Sequence, residues 1–450
     1  MRKLMAGLIF CGIPLPGMGM IFLNAQDPAQ NKQTAPTGPY ANSGWQYQLR
    51  YKNYLGTIIS PKHFITATHL GRKGETTQPK FFNGEHDLSF TLKDEGQGII
   101  IDETTDLRVL EIWETFEHYA PLYPSPNESG KETVITGRGL GRGEELQDEN
   151  GEILGWKWGP GNTTSDRWGT NTVTSHYINS RGSDLIYITF ASAPTPHEIQ
   201  LTGNDSGGGW FIKDGPDWKL AGITFSVDAN HDTNNTTGDQ SHFRAAIKNA
   251  RGFYYGSDTS GWNLIPTNPA LYLTPSTYQN NLSDLRFYEK THSYATRISS
   301  YLPEINAIIQ PSITHAALDA EGKFQRWLSD AGITAATALD DDTDADGTPN
   351  LVEYFSNDDP SAPSSNPLSL IRETDGSLTL AIRESLDLTG RGLIGEIQES
   401  TDLSNWSAVA FLAERSNRVA DDTGQRTRTL ALLSPSSAEH FYRLRITLTD

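Results

Sequence analysis

The stretch Gly56-Thr-Ile-Ile-Ser-Pro-Lys-His-Phe-Ile-Thr-Ala-Thr-His69 sets two apolar, β-branched runs on either side of a Ser-Pro-Lys-His turn. Isoleucine, phenylalanine and threonine favour a pleated backbone, and Ser-Pro breaks it, so the stretch reads as strand, turn, strand. His63 falls in the polar turn, where solvent should reach it. His69 follows small residues at the end of an apolar run, where an imidazole can be held rigidly. The same texture extends outward from Gly44 to Ile309, with strand-like runs at Thr133-Val-Ile-Thr136, Leu185-Ile-Tyr-Ile-Thr-Phe190 and Lys219-Leu-Ala-Gly-Ile-Thr-Phe225. Many short strands between Gly, Asn and Asp turns predict a mainly β fold, a barrel or a sandwich. Gly143 to Asn171, rich in Gly, Trp and acids, reads as a long surface loop. Residues 228–262 read as irregular, with a short helix at Phe243 to Ala250.

Beyond this region the period changes. Ile298, Leu302, Ile305 and Ile309 recur at helical spacing within Tyr294 to Ile309, and a second helix is predicted over Gly322 to Ala331. An acidic run (Asp340 to Gly347) precedes a short helix at Asn350 to Phe355, so residues 311–360 form a helical segment. A Ser/Pro linker occupies 361–367, and alternating runs over 368–450 predict a small β-sandwich. At 450 residues, two or three domains are expected.

The N-terminus reads as an export signal over 1–25. Arg2 and Lys3 precede apolar runs at Leu4 to Ile13 and Met18 to Leu23, and Leu23-Asn-Ala25 offers a small-residue cut before Gln26. Pro14, Pro16 and glycines interrupt the run, which argues against a spanning helix. No other apolar stretch is long enough, so no membrane span is expected after signal removal. Residues 26–43 read as a flexible leader. The single cysteine, Cys11, lies in the signal, which leaves no disulfide. The net charge of −19 without a basic patch argues against nucleic acid as a partner. A secreted, periplasmic or cell-surface protein is the expectation.

Three segments carry candidate chemistry. Leu201-Thr-Gly-Asn-Asp-Ser-Gly-Gly-Gly-Trp210 sets Ser206 between Asp205 and three glycines. A nucleophilic serine needs an exposed Oγ at a tight turn and N–H groups aimed at the developing oxyanion. A Gly-rich surface turn has the same residue types, and composition alone leaves both open. Asp106, in Thr104-Thr-Asp-Leu-Arg-Val-Leu-Glu-Ile112, stands at the mouth of an apolar strand, where a carboxylate can accept an imidazole Nδ1–H. His69 is the third.

In that order, Thr66-Ala-Thr-His69, Asp106-Leu-Arg-Val-Leu110 and Asn204-Asp-Ser-Gly-Gly208 resemble the Thr-Ala-Ala-His, Asp-Leu-x-Leu-Leu and Gly-Asp-Ser-Gly-Gly motifs of chymotrypsin-type serine peptidases. Trp218 to Phe225 resembles the family's strand after the serine. Tyr294 to Leu302 resembles the opening of its closing helix. The order differs from that of α/β-hydrolases. The resemblance implies a two-barrel domain over 44–310 and a peptide-bond hydrolase that needs no cofactor for catalysis and acts on protein or peptide substrates. It implies Ser206 as nucleophile, His69 as general base, Asp106 as its orienter, and the N–H groups of Asn204 and Ser206 as the oxyanion hole. Gln200, Thr224, Phe225, Ser226 and His292 would line the substrate pocket, with no aspartate there to favour Lys or Arg. Asn204 departs from the family glycine. No Ile-Val-Gly-Gly start precedes the first strand, so Asp205 is read as structural. The reading from another class is an inactive, peptidase-like binding module.

Asp342-Thr-Asp344-Ala-Asp346-Gly-Thr348-Pro-Asn350-Leu-Val-Glu353 has oxygen donors at positions 1, 3, 5 and 12 and glycine at 6, the spacing of an EF-hand loop. It resembles the calcium loops near the C-termini of many bacterial secreted proteins. That implies a structural Ca²⁺ held by Asp342, Asp344, Asp346, Thr348, Asn350 and Glu353. The ion would pin the helix near Trp327 against the one at Asn350 to Phe355.

Overall fold

A computed structural model describes residues 20–24, 33–71, 79–82, 87–147, 152–159, 165–191, 193–228, 230–232, 242–249, 252–257, 261–266, 290–334, 337–409, 411–418, 423–432 and 440–449. The chain is mainly β and divides into two units. The first comprises 1–45, 53–55 and 123–299, and the second 46–52, 56–122 and 300–450. Most of the export-signal stretch, 1–19, lies outside the described residues.

In the first unit six strands close a barrel. In order round it they are Arg167–Ile178, Asp184–Thr189, His292–Arg297, Asp217–Val227, Gly209–Asp214 and Glu132–Gly137, which pairs back with the first. Register shifts near Ser175, Phe211 and Ser226 supply the bends that closure needs. The inward residues Ile135, Val173, Ile186, Ile188, Trp210 and Ile212 form one buried cluster.

Beside the barrel, Arg142–Gln147, Ile153–Trp158, His242–Ile247 and Asn230–Asp232 form a four-stranded sheet. Two expectations fail here. Where it is described, Gly143 to Asn171 is not a loop but two antiparallel strands and the start of a barrel strand, with Leu146, Leu154 and Trp156 buried. Its Gly155 is a close-approach residue, since a Cβ there would stand 2.2 Å from the Ala246 carbonyl oxygen. The helix expected at Phe243 to Ala250 is instead a strand. Consecutive Ala245, Ala246 and Ile247 are all buried, which erases the two-residue alternation.

The leader expected to be flexible packs down where it is described. Tyr40 is buried and donates to Glu132 Oε1 at 2.9 Å, and Trp168 Nε1 donates to the Thr34 carbonyl.

The second unit contains a seven-stranded sheet in the order Asp87–Ser89, Lys80–Phe82, Gln48–Tyr51, Tyr54–Ile58, His63–Ala67, Leu107–Glu111, Ile99–Ile100. Two barrels were expected; among the described residues one closes. Helix α1 (Leu302–Ala316) begins later than its periodicity suggested, because residues 292–297 serve as a barrel strand. Helix α2 (Ala320–Asp330) is capped by Asp319, which accepts from Gly322 N. Helix α3 is Asn350–Ser356.

The C-terminal strands form a four-stranded sheet (Leu368–Arg372, Leu378–Ser385, Gln425–Leu432, Phe411–Arg418) and a three-stranded one (Ser407–Ala408, Leu393–Ser400, Phe441–Leu448). Phe324 and Leu328 of α2 and Tyr354 and Phe355 of α3 share one core with Leu380, Ile382, Ile397 and Leu430. The helical segment and the C-terminal strands therefore share one core. Each such buried side chain contributes about 1.5–3 kcal/mol. The body is tied to the seven-stranded sheet through Lys62. Its ammonium donates to Asp387 Oδ2 at 2.5 Å and to the carbonyls of Trp113 and Glu114.

Candidate active site and candidate metal loop

Antiparallel register brings His69 and Asp106 together in the second unit. Ala67 pairs with Leu107, so the chain just after one strand meets the chain just before the other. Thr68 N donates to the Asp106 carbonyl at 2.9 Å, which carries the ladder one step further. Both carboxylate oxygens of Asp106 are then engaged. Oδ1 accepts the His69 backbone N–H at 3.0 Å, and Oδ2 lies 2.6 Å from Nδ1. Asp106 is 13% exposed and the imidazole 44%. An Nδ1–H held by a shielded carboxylate leaves Nε2 as the basic atom on the more open side.

His63 corrects the sequence reading. It is buried rather than solvated, with Nδ1 2.7 Å from Ser60 Oγ and 3.4 Å from Ser312 Oγ of α1. Burial lowers its pKa, so it is a core histidine.

Ser206 belongs to the first unit, on the loop between Ile199–Gln200 and Gly209–Asp214. Asp205 is the loop's anchor. It is fully buried and accepts from Thr202 N at 2.7 Å, Thr202 Oγ1 at 3.0 Å and Gly139 N at 2.5 Å. Burial pushes its pKa up to about 6, against the opposing pull of these bonds. Asn204 has φ +74°, a left-handed backbone that asparagine tolerates far better than most residues. Gly207 also has φ +82°. A Cβ on Gly208 would stand 2.1 Å from the Thr136 carbonyl oxygen. Thr224 holds the turn from the neighbouring strand. Its carbonyl accepts from Gly207 N, its N–H donates to Gly208 O, and its hydroxyl accepts from Trp210 Nε1. Ser206, half-buried, thus sits at a tight turn fixed on both flanks.

The other expected pocket residues stand near this loop's strands. Gln200 is buried and donates to Ser293 Oγ at 2.7 Å. Phe225 and Ser226 are half-buried where the strand shifts register. His292 packs edge-on to Tyr187, with Nδ1 3.7 Å from Asp228 Oδ2.

Two neighbours escaped the sequence reading. Trp158 covers the loop, since a Cβ on Gly203 would meet its ring at 3.0 Å. It was hidden in the stretch taken for a loop. Glu198, just before Gln200, is buried and accepts from Asn171 Nδ2, Ala191 N, Thr195 N and Thr195 Oγ1. Burial raises its pKa to about 7.

The acidic loop folds on itself in the second unit. One carboxylate oxygen from each of Asp342, Asp344 and Asp346 lies within 4.8 Å of the others. Gly347 takes φ +94° and donates to Asp342 Oδ2, and Thr348 N donates to Asp346 Oδ1 at 2.6 Å. Asn350 is buried, with Oδ1 accepting from Thr343 N. Glu353 of α3 is fully buried, and among the described residues neither of its carboxylate oxygens has a well-formed hydrogen bond, the Ser364 hydroxyl lying close enough only to pull its pKa down; the buried Oδ2 of Asp344 likewise lacks a well-formed bond. Burial, against the opposing pull of the Ser364 hydroxyl and with the charges of Asp344, Asp346 and Asp358 adding to it, pushes Glu353 up to about 7. The cluster that comes together is Asp342, Asp344 and Asp346, without Glu353; carboxylate oxygens gathered in this way suit a hard cation. Helices α2 and α3 pack against one another, with the Trp327 and Tyr354 rings 5.0 Å apart.

No protein-family model matches the chain, and no curated protein matches it.

Proposed function

We propose that the chain is an exported serine endopeptidase of the chymotrypsin type, with the seven-stranded sheet as counterpart of the second barrel. The observation that carries this reading is the two-point hold of Asp106 on His69, through the backbone N–H and Nδ1 together. A structural histidine needs one partner; a general base needs a fixed tautomer and a fixed ring. The doubly anchored turn at Ser206 supports it. In this reaction Ser206 Oγ attacks the scissile carbonyl carbon while His69 Nε2 takes the hydroxyl proton. The N–H groups of Asn204 and Ser206 receive the oxyanion. The C–N bond breaks as His69 passes its proton to the leaving amine. Water then attacks the acyl-enzyme by the same route and restores Ser206.

A fluorophosphonate probe tests this directly. The wild-type protein should become labelled and Ser206→Ala should not; equal labelling, or none in either, removes the reading.

The 342–353 loop is proposed as a structural Ca²⁺ site. Asp342, Asp344 and Asp346 supply carboxylate oxygens, Thr348 and Asn350 complete the loop, and Glu353 closes it. The ion, when bound, neutralises the buried Glu353 and ties the loop to α3.

A further inference from the structure

The apolar run that reads as the end of an export signal does not end outside the fold. Ile21 and Phe22 pair antiparallel with Gln200 and Ile199, and Leu23 N donates to the Glu198 carbonyl at 3.0 Å. Met20 and Ile21 are 0% exposed and Phe22 is 3% exposed. Met20 and Phe22 belong to the barrel's own core, with Ile135, Leu201 and Trp210. Ile21 packs on the other side among Trp156, Phe190 and Ala246. The Met20 methyl group fills space that Gly137 leaves open, since a Cβ there would come within 2.7 Å of it and 2.3 Å of Asp205 Oδ1.

A cut after Ala25 would remove all of this. Among the described residues, Ile21–Phe22 is the ladder partner of Ile199–Gln200, and Gln200 leads straight into the loop that carries Asp205 and Ser206. Losing it would leave the backbone edge of Ile199–Gln200 unpaired and a hole where a methionine and a phenylalanine were buried. Cavities of that size are among the costliest changes a core can suffer. The sequence offers another place to cut. Gly17-Met-Gly19 presents small residues one and three positions before Met20, as an export peptidase requires.

We infer that the mature protein begins at Met20, and that residues 20–23 stay in it as a strand bracing the serine loop. The export peptidase then hydrolyses the Gly19–Met20 amide bond, water supplying the hydroxyl to the Gly19 carbonyl and the proton to the Met20 amine. The apolar run serves two purposes in succession: its first part directs export, and its last residues become core. The inference does not depend on peptidase activity.

The test is intact mass and N-terminal sequencing of the full chain exported by a bacterial host. The expected N-terminus is Met20. Gly19→Leu should abolish that cut, and Ala25→Leu should leave it unchanged; both act before folding, so a misfolded product does not obscure the result. An N-terminus at Gln26, or processing blocked by Ala25→Leu but not by Gly19→Leu, overturns the inference. In the purified protein, Phe22→Ala should lower Tm by about 5–10 °C. An unchanged Tm would overturn the bracing role.

Discussion

Glu353 makes the metal proposal quantitative. Its carboxylate is fully buried and neither oxygen has a well-formed hydrogen bond, the Ser364 hydroxyl giving only partial relief. Leaving a buried polar atom unsatisfied costs about 1–3 kcal/mol, so without an ion this one side chain sets at most about 2–6 kcal/mol against the fold. A cation that binds only the folded loop returns about 2.7 kcal/mol when its free concentration is 100 times Kd. For a body of this size, 1 kcal/mol moves Tm by about 2–4 °C. Chelating calcium should therefore lower the C-terminal transition by about 5–11 °C. Differential scanning calorimetry with calcium or with chelator reads this. Magnesium at the same concentration should substitute poorly, because the loop offers many flexible oxygens rather than a tight octahedron. In Glu353→Gln and in Asp344→Ala, the difference between calcium and chelator should shrink to a small residue of the wild-type value. Equal wild-type melting with and without chelator, or full calcium response in both variants, would refute the reasoning.

Asp106→Asn should lower kcat by roughly 10⁴-fold, the loss that a misplaced proton on the imidazole causes in Ser-His-Asp hydrolases, with fluorophosphonate labelling slowed in parallel. Asp205 should make stability depend on pH. Its folded pKa of about 6 lies above the ordinary 3.8, so the folded state favours the protonated form. Its contribution is full below 3.8 and is lost as pH rises to about 6, a total of about 3 kcal/mol at about 1.4 kcal/mol per pH unit. Asp205→Asn should flatten that slope in urea unfolding series run across the window. Lys62→Met should destabilise by up to about 3 kcal/mol, because it removes the ammonium that donates to Asp387 and leaves only the more distant Arg391 guanidinium to offset that carboxylate. Denaturant unfolding should show most of that loss restored in the double variant Lys62→Met/Asp387→Leu.

What could be read from the sequence divides by how far away the deciding partner lies along the chain. The strand before His69 and the strand after Asp106 are each visible locally. Once they pair antiparallel, geometry alone brings imidazole to carboxylate. The acidic loop is likewise local, since its donors and its turn glycine sit within twelve residues and need only spacing. His63 failed for the opposite reason. Its immediate neighbours are Ser, Pro and Lys, and the residue that helps to bury it, Ser312, is 249 positions away. The leader failed in the same way, because Tyr40 looks solvated until Glu132, 92 positions on, takes its hydroxyl. In the region read as a loop, composition misled directly. Glycine normally marks a break in a strand, but Gly155 is there because only a hydrogen fits beside the Ala246 carbonyl. Asn204 shows the converse. It departs from the glycine of the motif it resembles, yet asparagine is among the few residues that tolerate φ +74°, so a left-handed turn forms there without the glycine. Met20 to Leu23 combine both effects: an apolar run matches a signal's local pattern, and only its distant partners at 199 and 200 show that it is also a strand.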